Sequence, residues 1–517
     1  MPNKKISSET GNAALDLAID TIRMGKKALV FANTKKSAEK TAEDISKKIK
    51  TNDKELIGLS ENVLKALSSP TKQCQRLSGC VKKGIAFHHA GLVAKQRELI
   101  EDNFRNGAIK IICSTPTLAF GLDLPAFRAI LKDLKRYGPR GMAYIPVLEY
   151  LQMAGRAGRP KFDKTGEAIC IAISDNDKKK LYEKYILGEP EDVYSKLAVE
   201  PVLRTYLLSL IAANFVNTKK NIIDFFSRTF WAHQFVDMGK LVFIIDKMLD
   251  LLEEWEFIQR DSKDFKDADK IDDEVIKATL MGKRVAELYI DPLTAYFFIT
   301  CLRTASDKKV NEFSFLQMIS HTLEIRPLLR VRVKEQEKIQ EELVKHYDLL
   351  LEKEPSMYEP EYEDYVNSIK TALLLNEWIN EKNEEYLLEN FNARPGELKS
   401  KMSIADWLLY ASEEISRILN FQNLKKEIVK LRLRLRHGVK EELLPLIKME
   451  GIGRVRARKL FFNKIKDVGD VKRADTAKLA QILGKNIALS VKKQVGQEIK
   501  KVLKGKRKGQ ISLLRDY

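Results

Sequence analysis

Several features are missing from this sequence, and each absence removes a class of protein. No run of eighteen or more apolar residues occurs, so no segment has the length and character of a membrane-spanning helix. The opening Met1-Pro2-Asn3-Lys4-Lys5 lacks the apolar core of a secretory signal, and residence inside the cell is the expectation. Cysteine is scarce and odd in number: five, at positions 74, 80, 113, 170 and 301, without CxxC spacing or neighbouring histidines. That pattern gives neither a disulfide framework nor a zinc site, and the thiols read as core residues. No GxxxxGKS/T loop is present, nor an acidic metal-binding motif closing an apolar strand. Asp272-Asp273-Glu274-Val275 lacks both the strand before it and a histidine after it. Chemistry on a nucleoside triphosphate needs a phosphate cradle and a metal site, so the chain alone is expected not to hydrolyse ATP.

What is present begins with size and charge. At 517 residues, 44% of them hydrophobic, the chain is long enough for several domains with buried cores. The net charge of +19 is unevenly placed. From Lys425 onward there are 27 Lys and Arg against 9 Asp and Glu, leaving 64 against 63 in residues 1–424. A basic end on a neutral body points to a polyanion. Nucleic acid fits better than membrane, because no amphipathic face with anchoring aromatics accompanies the charge. The location expected is the cytoplasm, associated with the nucleoid.

Residues 1–175 alternate strand and helix. Lys27–Phe31 reads as a buried strand, followed by the Asn33-Thr34 cap of a helix through Ala38, Ala42, Ile45 and Ile49. A second helix is expected over Glu61–Lys82, then strand 85–88, helix 92–105, and strands 109–113, 129–132 and 168–173. Such alternation implies a parallel sheet whose ligands gather at the carboxyl ends of its strands. After residue 176 the alternation stops. Helices at 178–187, 200–213, 221–227 and 239–253, then Trp255–Ile258 and a turn-rich stretch, read as a winged helix. Residues 291–430 are nearly all helical, with segments at 293–304, 313–322, 330–351, 362–378, 383–391 and 403–430.

The organising motif is Gln152-Met153-Ala154-Gly155-Arg156-Ala157-Gly158-Arg159. Arginines three apart on one helical turn point the same way, and guanidiniums fork onto phosphate oxygens. The alternative is a helix C-terminus with glycine stops and solvated arginines. Upstream stand Ser114-Thr115-Pro116-Thr117-Leu118-Ala119-Phe120-Gly121-Leu122-Asp123-Leu124-Pro125 and Phe87-His88-His89-Ala90-Gly91-Leu92. In this order the three motifs resemble the second RecA-like lobe of superfamily-two helicases. Their wording is closest to the Ski-two-like branch, and within it to the archaeal Holliday junction migration helicase family, across essentially the whole chain.

The resemblance implies roles for particular residues. Thr34, Thr115 and Thr117 hold the sugar-phosphate backbone of the loaded strand. Gly121, Asp123, Gln152, Arg156 and Arg159 face ATP and its Mg2+, with Arg159 as finger, Arg156 in support, and most of the cofactor held by a first lobe. Asp123 stands where the family more often has asparagine. His88 and His89 read equally as DNA-facing or as packing histidines. Between motifs, Asp133–Pro146 reads as two short arms around a Gly-Pro turn. A hairpin at this place splits the duplex in the family, and Tyr137, Met142 and Tyr144 are candidates to stack on the last base pair; an ordinary surface loop is the competing reading.

Further along, Arg394-Pro395-Gly396-Glu397-Leu398 resembles the entry to the family's helical ratchet. Trp407 fills its aromatic position, unless it is a core tryptophan, and Ser400 stands where the family has arginine, between Lys399 and Lys401. In Met449-Glu450-Gly451-Ile452-Gly453-Arg454-Val455-Arg456, the Gly-Ile-Gly turn offers backbone amides at a helix start, a helix-hairpin-helix pattern that binds phosphate without reading bases. Leu483-Gly484-Lys485 looks like a weaker copy. Lys504–Gly509 is a cationic tail, and Gln510, Leu513 and Tyr517 half-match a sliding-clamp-binding box.

The expected fold class is therefore multidomain α/β plus mainly α: a RecA-like lobe (1–175), winged helix (176–290), helical ratchet bundle (291–436), helix-hairpin-helix domain (437–503) and basic tail (504–517). The function implied is the C-terminal part of an ATP-dependent 3′–5′ DNA helicase acting on single-stranded and forked DNA in repair and recombination, completed by a first-lobe polypeptide. The alternative is a catalytically inactive protein that holds branched or single-stranded DNA.

Overall fold

The computed structural model describes residues 6–119, 124, 126–138, 141–158, 165–197, 199–235, 238–260 and 275–497. They group into two compact units, Met1–Tyr194 with Asn383–Ser400, and Ser195–Lys382 with Lys401–Tyr517. In the first unit, β1 (Ala28–Phe31), β2 (Ile85–His88), β3 (Ile111–Ser114) and β4 (Arg128–Leu131) are buried at every position. Strands covered on both faces read as unbroken apolar runs, which is why the sequence showed no alternation in them. β5 (Lys135–Gly138) and β6 (Gly141–Tyr144) form a separate antiparallel hairpin. β7 (Glu167–Cys170) completes a five-stranded parallel sheet in the order β2-β3-β1-β4-β7. The carboxyl ends of β1 and β3 are thus neighbours, with Phe31 opposite Ser114. At the start of β4 the fully buried Arg128 binds the first helix, Ala13–Arg23, to the sheet. Its guanidinium donates to Glu167 at 2.7 Å, Asp20 at 3.0 Å, Thr21 at 2.7 Å and the Leu17 carbonyl at 3.0 Å. A buried charge is tolerated because its donors are matched in this way.

Two expected helices are each divided. The segment read as one helix over Glu61–Lys82 consists of Lys54–Lys65 and Lys72–Val81. Pro70, in Ser68-Ser69-Pro70, cannot continue a helix, and Thr71 caps the restart by accepting from the Cys74 amide at 3.4 Å. The 403–430 segment is Pro395–Ile418 followed by Gln422–His437, with Asn420 left-handed at φ 62° between them.

Residues 383–400, read from sequence as part of the helical bundle, group with the sheet lobe. Gly396 donates its N–H to the Gly91 carbonyl at 3.0 Å, and a Cβ on it would lie 2.3 and 2.4 Å from the carbonyl oxygens of Leu92 and Ala90. Only glycine allows that approach. Beside it Lys35 pairs with Glu397, and Glu39, 2% exposed, collects four donors. They are His89 Nε2 at 3.1 Å, Arg394 Nε at 3.1 Å, Gln73 Nε2 at 2.9 Å and Arg76 Nη1 at 2.8 Å. Burial pushes the Glu39 carboxyl up, but the His89 and Gln73 hydrogen bonds and the Arg394 charge outweigh it and hold the pKa at about 2.

In the second unit the helices Glu200–Ala212, Lys219–Ser227, Phe230–Phe235 and Met238–Glu254 precede the antiparallel pair β8 (Ile258–Arg260) and β9 (Ile276–Ala278). The acidic stretch at 272–274 lies outside the described residues. The bundle that follows packs Glu312–Ser320 and Gln422–His437 against the long buried helix Glu361–Ile379. Residues 439–495 have a core of their own, built on Val439, Leu446, Ile452, Leu460, Leu479 and Val491.

The Glu39 cluster sets an acid limit on the first unit. Glu39 titrates lower in the folded chain than its ordinary 4.5, so its contribution is complete above pH 4.5 and is lost as pH falls toward 2. Burial likewise holds His89 below its ordinary 6.5, so acidification below that value also destabilises. Glu39→Ala leaves Arg394 and His89 without their acceptor and should cost about 3 kcal/mol at neutral pH. Denaturant unfolding of both chains at pH 7 measures the cost of the substitution, and the wild-type chain should lose stability from pH 7 to 4 through His89 and more steeply from pH 4 to 2.5 through Glu39.

Candidate functional site

The helix Val147–Ala154 sits between the β5–β6 hairpin and β7 in sequence. Its first two amides, Val147 and Leu148, donate to the Glu191 carboxylate at 2.7 and 3.2 Å, which satisfies a helix start that has no side-chain cap. At the other end the Gly155 and Ala157 amides close turns onto Leu151 and Ala154 at 2.8 and 3.0 Å. Gly158, at φ 67°, then carries the chain out, its N–H meeting the Ala126 carbonyl at 3.0 Å. A Cβ on Gly158 would lie 2.7 Å from the backbone of Gly166. The helix therefore ends before Arg156, and the expectation of two arginines on one helical turn is corrected: the glycines stop the helix, as the competing reading had it. Gln152 is on the helix and Arg156 is in the turn. Arg156 donates through Nε, at 3.0 Å, and Nη2 to the carbonyl of Ala119, and burial lowers its pKa from the ordinary guanidinium range. Gln152 Oε1 is buried and accepts no hydrogen bond among the described residues. Phe120 to Asp123, which include Gly121, and Arg159 lie outside the described residues.

Arg156 thereby joins the turn to the short 3-10 segment Pro116–Ala119 that follows β3. The hydroxyls of Thr115, just before that segment, and Thr117, on it, are 2.9 Å apart at the surface. Thr34 follows the neighbouring strand β1 and is exposed, its hydroxyl accepting from the Ser37 amide at 3.1 Å. The structure brings these three threonines to one edge of the sheet. The Arg156 guanidinium, held by the Ala119 carbonyl, and the threonine hydroxyls on the adjoining segment are donors of the kind that suits phosphate oxygens.

His89 does not belong to that surface. It is 1% exposed, accepts the Gly91 amide on Nδ1 at 3.1 Å and donates from Nε2 to Glu39. The DNA-facing reading is corrected to the packing one. His88 is likewise buried, 2.8 Å from Glu101.

On the hairpin, Tyr137 pairs across the strands with Met142, and the two are 80% and 60% exposed. Tyr144, on the same face but nearer the base, is anchored. Its hydroxyl donates to Asp177 at 3.1 Å and its ring lies 4.5 Å beneath the Lys135 ammonium. Of these three residues, Tyr137 and Met142 present an open face. The turn residues 139 and 140 lie outside the described residues.

Lys399 is exposed on the helix Pro395–Ile418. Lys401 donates to the carbonyls of Ile325 and Pro327 at 3.2 and 2.7 Å. Trp407 is half-buried, with its indole N–H on the Leu288 carbonyl at 2.9 Å, so part of its ring is structural. Near the C-terminus Gly451 is left-handed at φ 82° and Gly453 starts the helix Arg454–Phe462. Arg454 lies over the Trp378 ring at 4.9 Å and donates to the Lys382 carbonyl at 2.6 Å. Arg456 closes back on the Gly451 carbonyl at 2.9 Å. Both arginines contribute to holding the turn, whose two glycines are exposed.

Comparison with known proteins gives the family. Residues 61–161 match the helicase conserved C-terminal domain, and residues 313–438 match domain 4 of archaeal helicases. The ATP-dependent DNA helicase Hel308 of Pyrococcus horikoshii is 39% identical over 505 residues, covering 96% of this chain and 68% of its own length. The chain belongs to the Hel308 family. The Hel308 protein of Pyrococcus abyssi is 38% identical over 95% of this chain and 67% of its own, and that of Methanococcus vannielii 36% over 90% and 65%. About a third of each Hel308 relative therefore has no counterpart in this chain. The helicase C-terminal match contains Thr115, Thr117, Tyr137, Tyr144, Gln152, Arg156 and Arg159, and the archaeal domain 4 match contains Lys399, Lys401 and Trp407.

Sequence reasoning missed Glu39, Glu149, Tyr185 and Glu191. Acids and tyrosines on helices look like solvated faces, and only Glu191, lying N-terminal to no helix of its own, carried no local signal at all. In a complete Hel308 enzyme, Tyr137→Ala should lower strand separation several-fold while hydrolysis of ATP persists, because Tyr137 touches nothing the fold needs. Tyr144→Phe should lower thermal stability slightly and strand separation little. Fork-unwinding and phosphate-release assays on the same preparations compare the two.

Proposed function

We propose that this chain is the part of an ATP-dependent 3′–5′ DNA helicase that carries the arginine finger and grips the DNA. It acts on forked or branched repair intermediates, and the phosphate cradle and magnesium carboxylates come from a first RecA-like lobe, on a longer chain or a separate polypeptide. The observation that carries this reading is the Arg156–Ala119 bond. It ties the turn that bears Arg156, just past the Gln152 helix, to the 3-10 segment that bears Thr117, so a change at the nucleotide would be passed toward the threonines that hold the strand. ATP, when bound, supplies the phosphoryl group whose transfer to water drives the cycle. Gln152, Arg156 and Arg159 would face it. Thr34, Thr115 and Thr117 bind the sugar-phosphate backbone, and the β5–β6 hairpin opens the duplex.

The distal parts follow the same scheme. Helices 200–254 with the β8–β9 pair support a winged-helix joint, and the helix bearing Lys399, Lys401 and Trp407 supports a ratchet against the translocating strand. The Gly451–Gly453 turn, over its own core, supports a helix-hairpin-helix that takes phosphate on backbone amides. An inactive DNA-holding protein is the second reading, and reconstitution separates the two.

Purified chain should show no ATP hydrolysis above background, and a first-lobe polypeptide bearing GxxxxGKS/T should restore it. Arg159→Ala should remove roughly a thousandfold of the restored turnover, with little rescue by lysine, which cannot copy the planar fork. Robust hydrolysis by the chain alone, or a restored activity indifferent to Arg159, would falsify the assignment, and no restoration by any first lobe favours the DNA-holding protein. Binding to single-stranded or forked DNA should fall steeply with salt and depend little on sequence. Deletion of residues 438–517 should weaken it by about tenfold or more in a fluorescence-anisotropy titration.

A further inference from the structure

The residues that join the hairpin to the motif helix have no part in the scheme above, and their geometry is unusually complete. Only Ile145 and Pro146 separate β6 from the helix Val147–Ala154. Arg136, on β5, faces the opposite side of the hairpin from Tyr137 and Met142, since neighbouring strand residues alternate. Its Nη1 lies 3.1 and 2.9 Å from the two carboxylate oxygens of Glu149, on the first turn of that helix. Glu149 is 8% exposed. Burying a carboxylate is unfavourable unless a cation is held against it, and an apolar residue would pack the helix equally well. What the charge pair adds is a directional tie between two elements.

Tyr185 makes a second tie at the same joint. Its hydroxyl donates its one proton to the Ile145 carbonyl at 2.9 Å and lies 3.4 Å from the Leu134 carbonyl, one on each leg of the hairpin base, while its ring packs on Tyr150 of the helix at 4.8 Å. Glu191 fixes the start of the helix, and its far end turns into Arg156, bonded to Ala119. The helix is therefore clamped to the hairpin at one end and to the nucleotide-facing cluster at the other.

We infer that Glu149 and Arg136 are positioning residues that make hairpin and motif helix one mechanical piece, so that movement of the arginine turn when the nucleotide cleft closes is delivered to the strand-splitting hairpin. The inference rests on the helicase function proposed above. Without the tie, the arginines still close on the nucleotide and the hairpin lags behind.

The test uses Glu149→Gln and Arg136→Gln in the full chain, combined with a first-lobe polypeptide, reading base pairs opened per ATP hydrolysed. Each variant should hydrolyse ATP within about twofold of wild type, while the pairs opened per ATP fall by about fivefold. The exchanged pair, Glu149→Arg with Arg136→Glu, should recover the ratio, which repair of simple misfolding would not do. On the chain alone, amide hydrogen exchange over residues 135–144 should quicken in the single variants and not over β1 or β3. An unchanged ratio, an exchanged pair as poor as the singles, or unaltered hairpin exchange overturns the inference. If the wild-type mixture fails to hydrolyse ATP, the proposed function falls, and the exchange measurement alone then decides whether the pair ties hairpin to helix.

Discussion

A single buried carboxylate does much to define the first unit. Glu39 is a charge in a low-dielectric interior, and such a charge persists only where donors surround it. Its four donors come from three separate stretches: Gln73 and Arg76 on one helix, His89 in the loop after β2, and Arg394 about 300 residues further on. Meeting the needs of one side chain therefore fixes the helix after β1, the loop after β2 and the incoming segment 383–400 in one arrangement. The threonines at the carboxyl edge of the sheet stand on that framework, because Thr34 caps the same helix that carries Glu39.

How much of this the sequence disclosed depended on whether the relevant force was local. The parallel strands were legible because burial on both faces demands continuous apolar residues, and β1 to β4 meet that demand within a few residues of each. Caps such as Thr34 were legible for the same reason. The break at Pro70 was overlooked although proline and two serines announce it, since the apolar period runs on across it in Leu67 and Leu77. The fate of His89 was not legible at all. Whether a histidine faces solvent or a carboxylate 50 positions away is settled by the fold, and residue type does not carry it. The arginine motif was recognised by wording and misjudged in geometry, because spacing of three fits a helical turn while Gly155 and Gly158 argue for leaving it.

The hairpin shows the same division between local and distant causes. Its two arms and Gly-Pro turn were evident, and so was its exposed Tyr137. What orients it was not, because Glu149, the one acid of its helix, looks solvated from its type, and Tyr185 approaches from a later segment. An exposed aromatic on a hairpin can be guessed from its type. The side chains that aim it are found only when partners are seen.

The backbone meeting of Gly158 and Gly166 has a consequence for how this region can vary. The two glycines touch without any side chain between them, and a Cβ on either would sit within 2.7 Å of the other. They act as a clasp that holds positions 158 and 166 of the chain together at the start of β7. Lengthening a closed loop is a mild entropic matter, about 0.6 kcal/mol for each doubling. Insertions between the glycines are therefore far easier to accommodate than a single methyl group on either one.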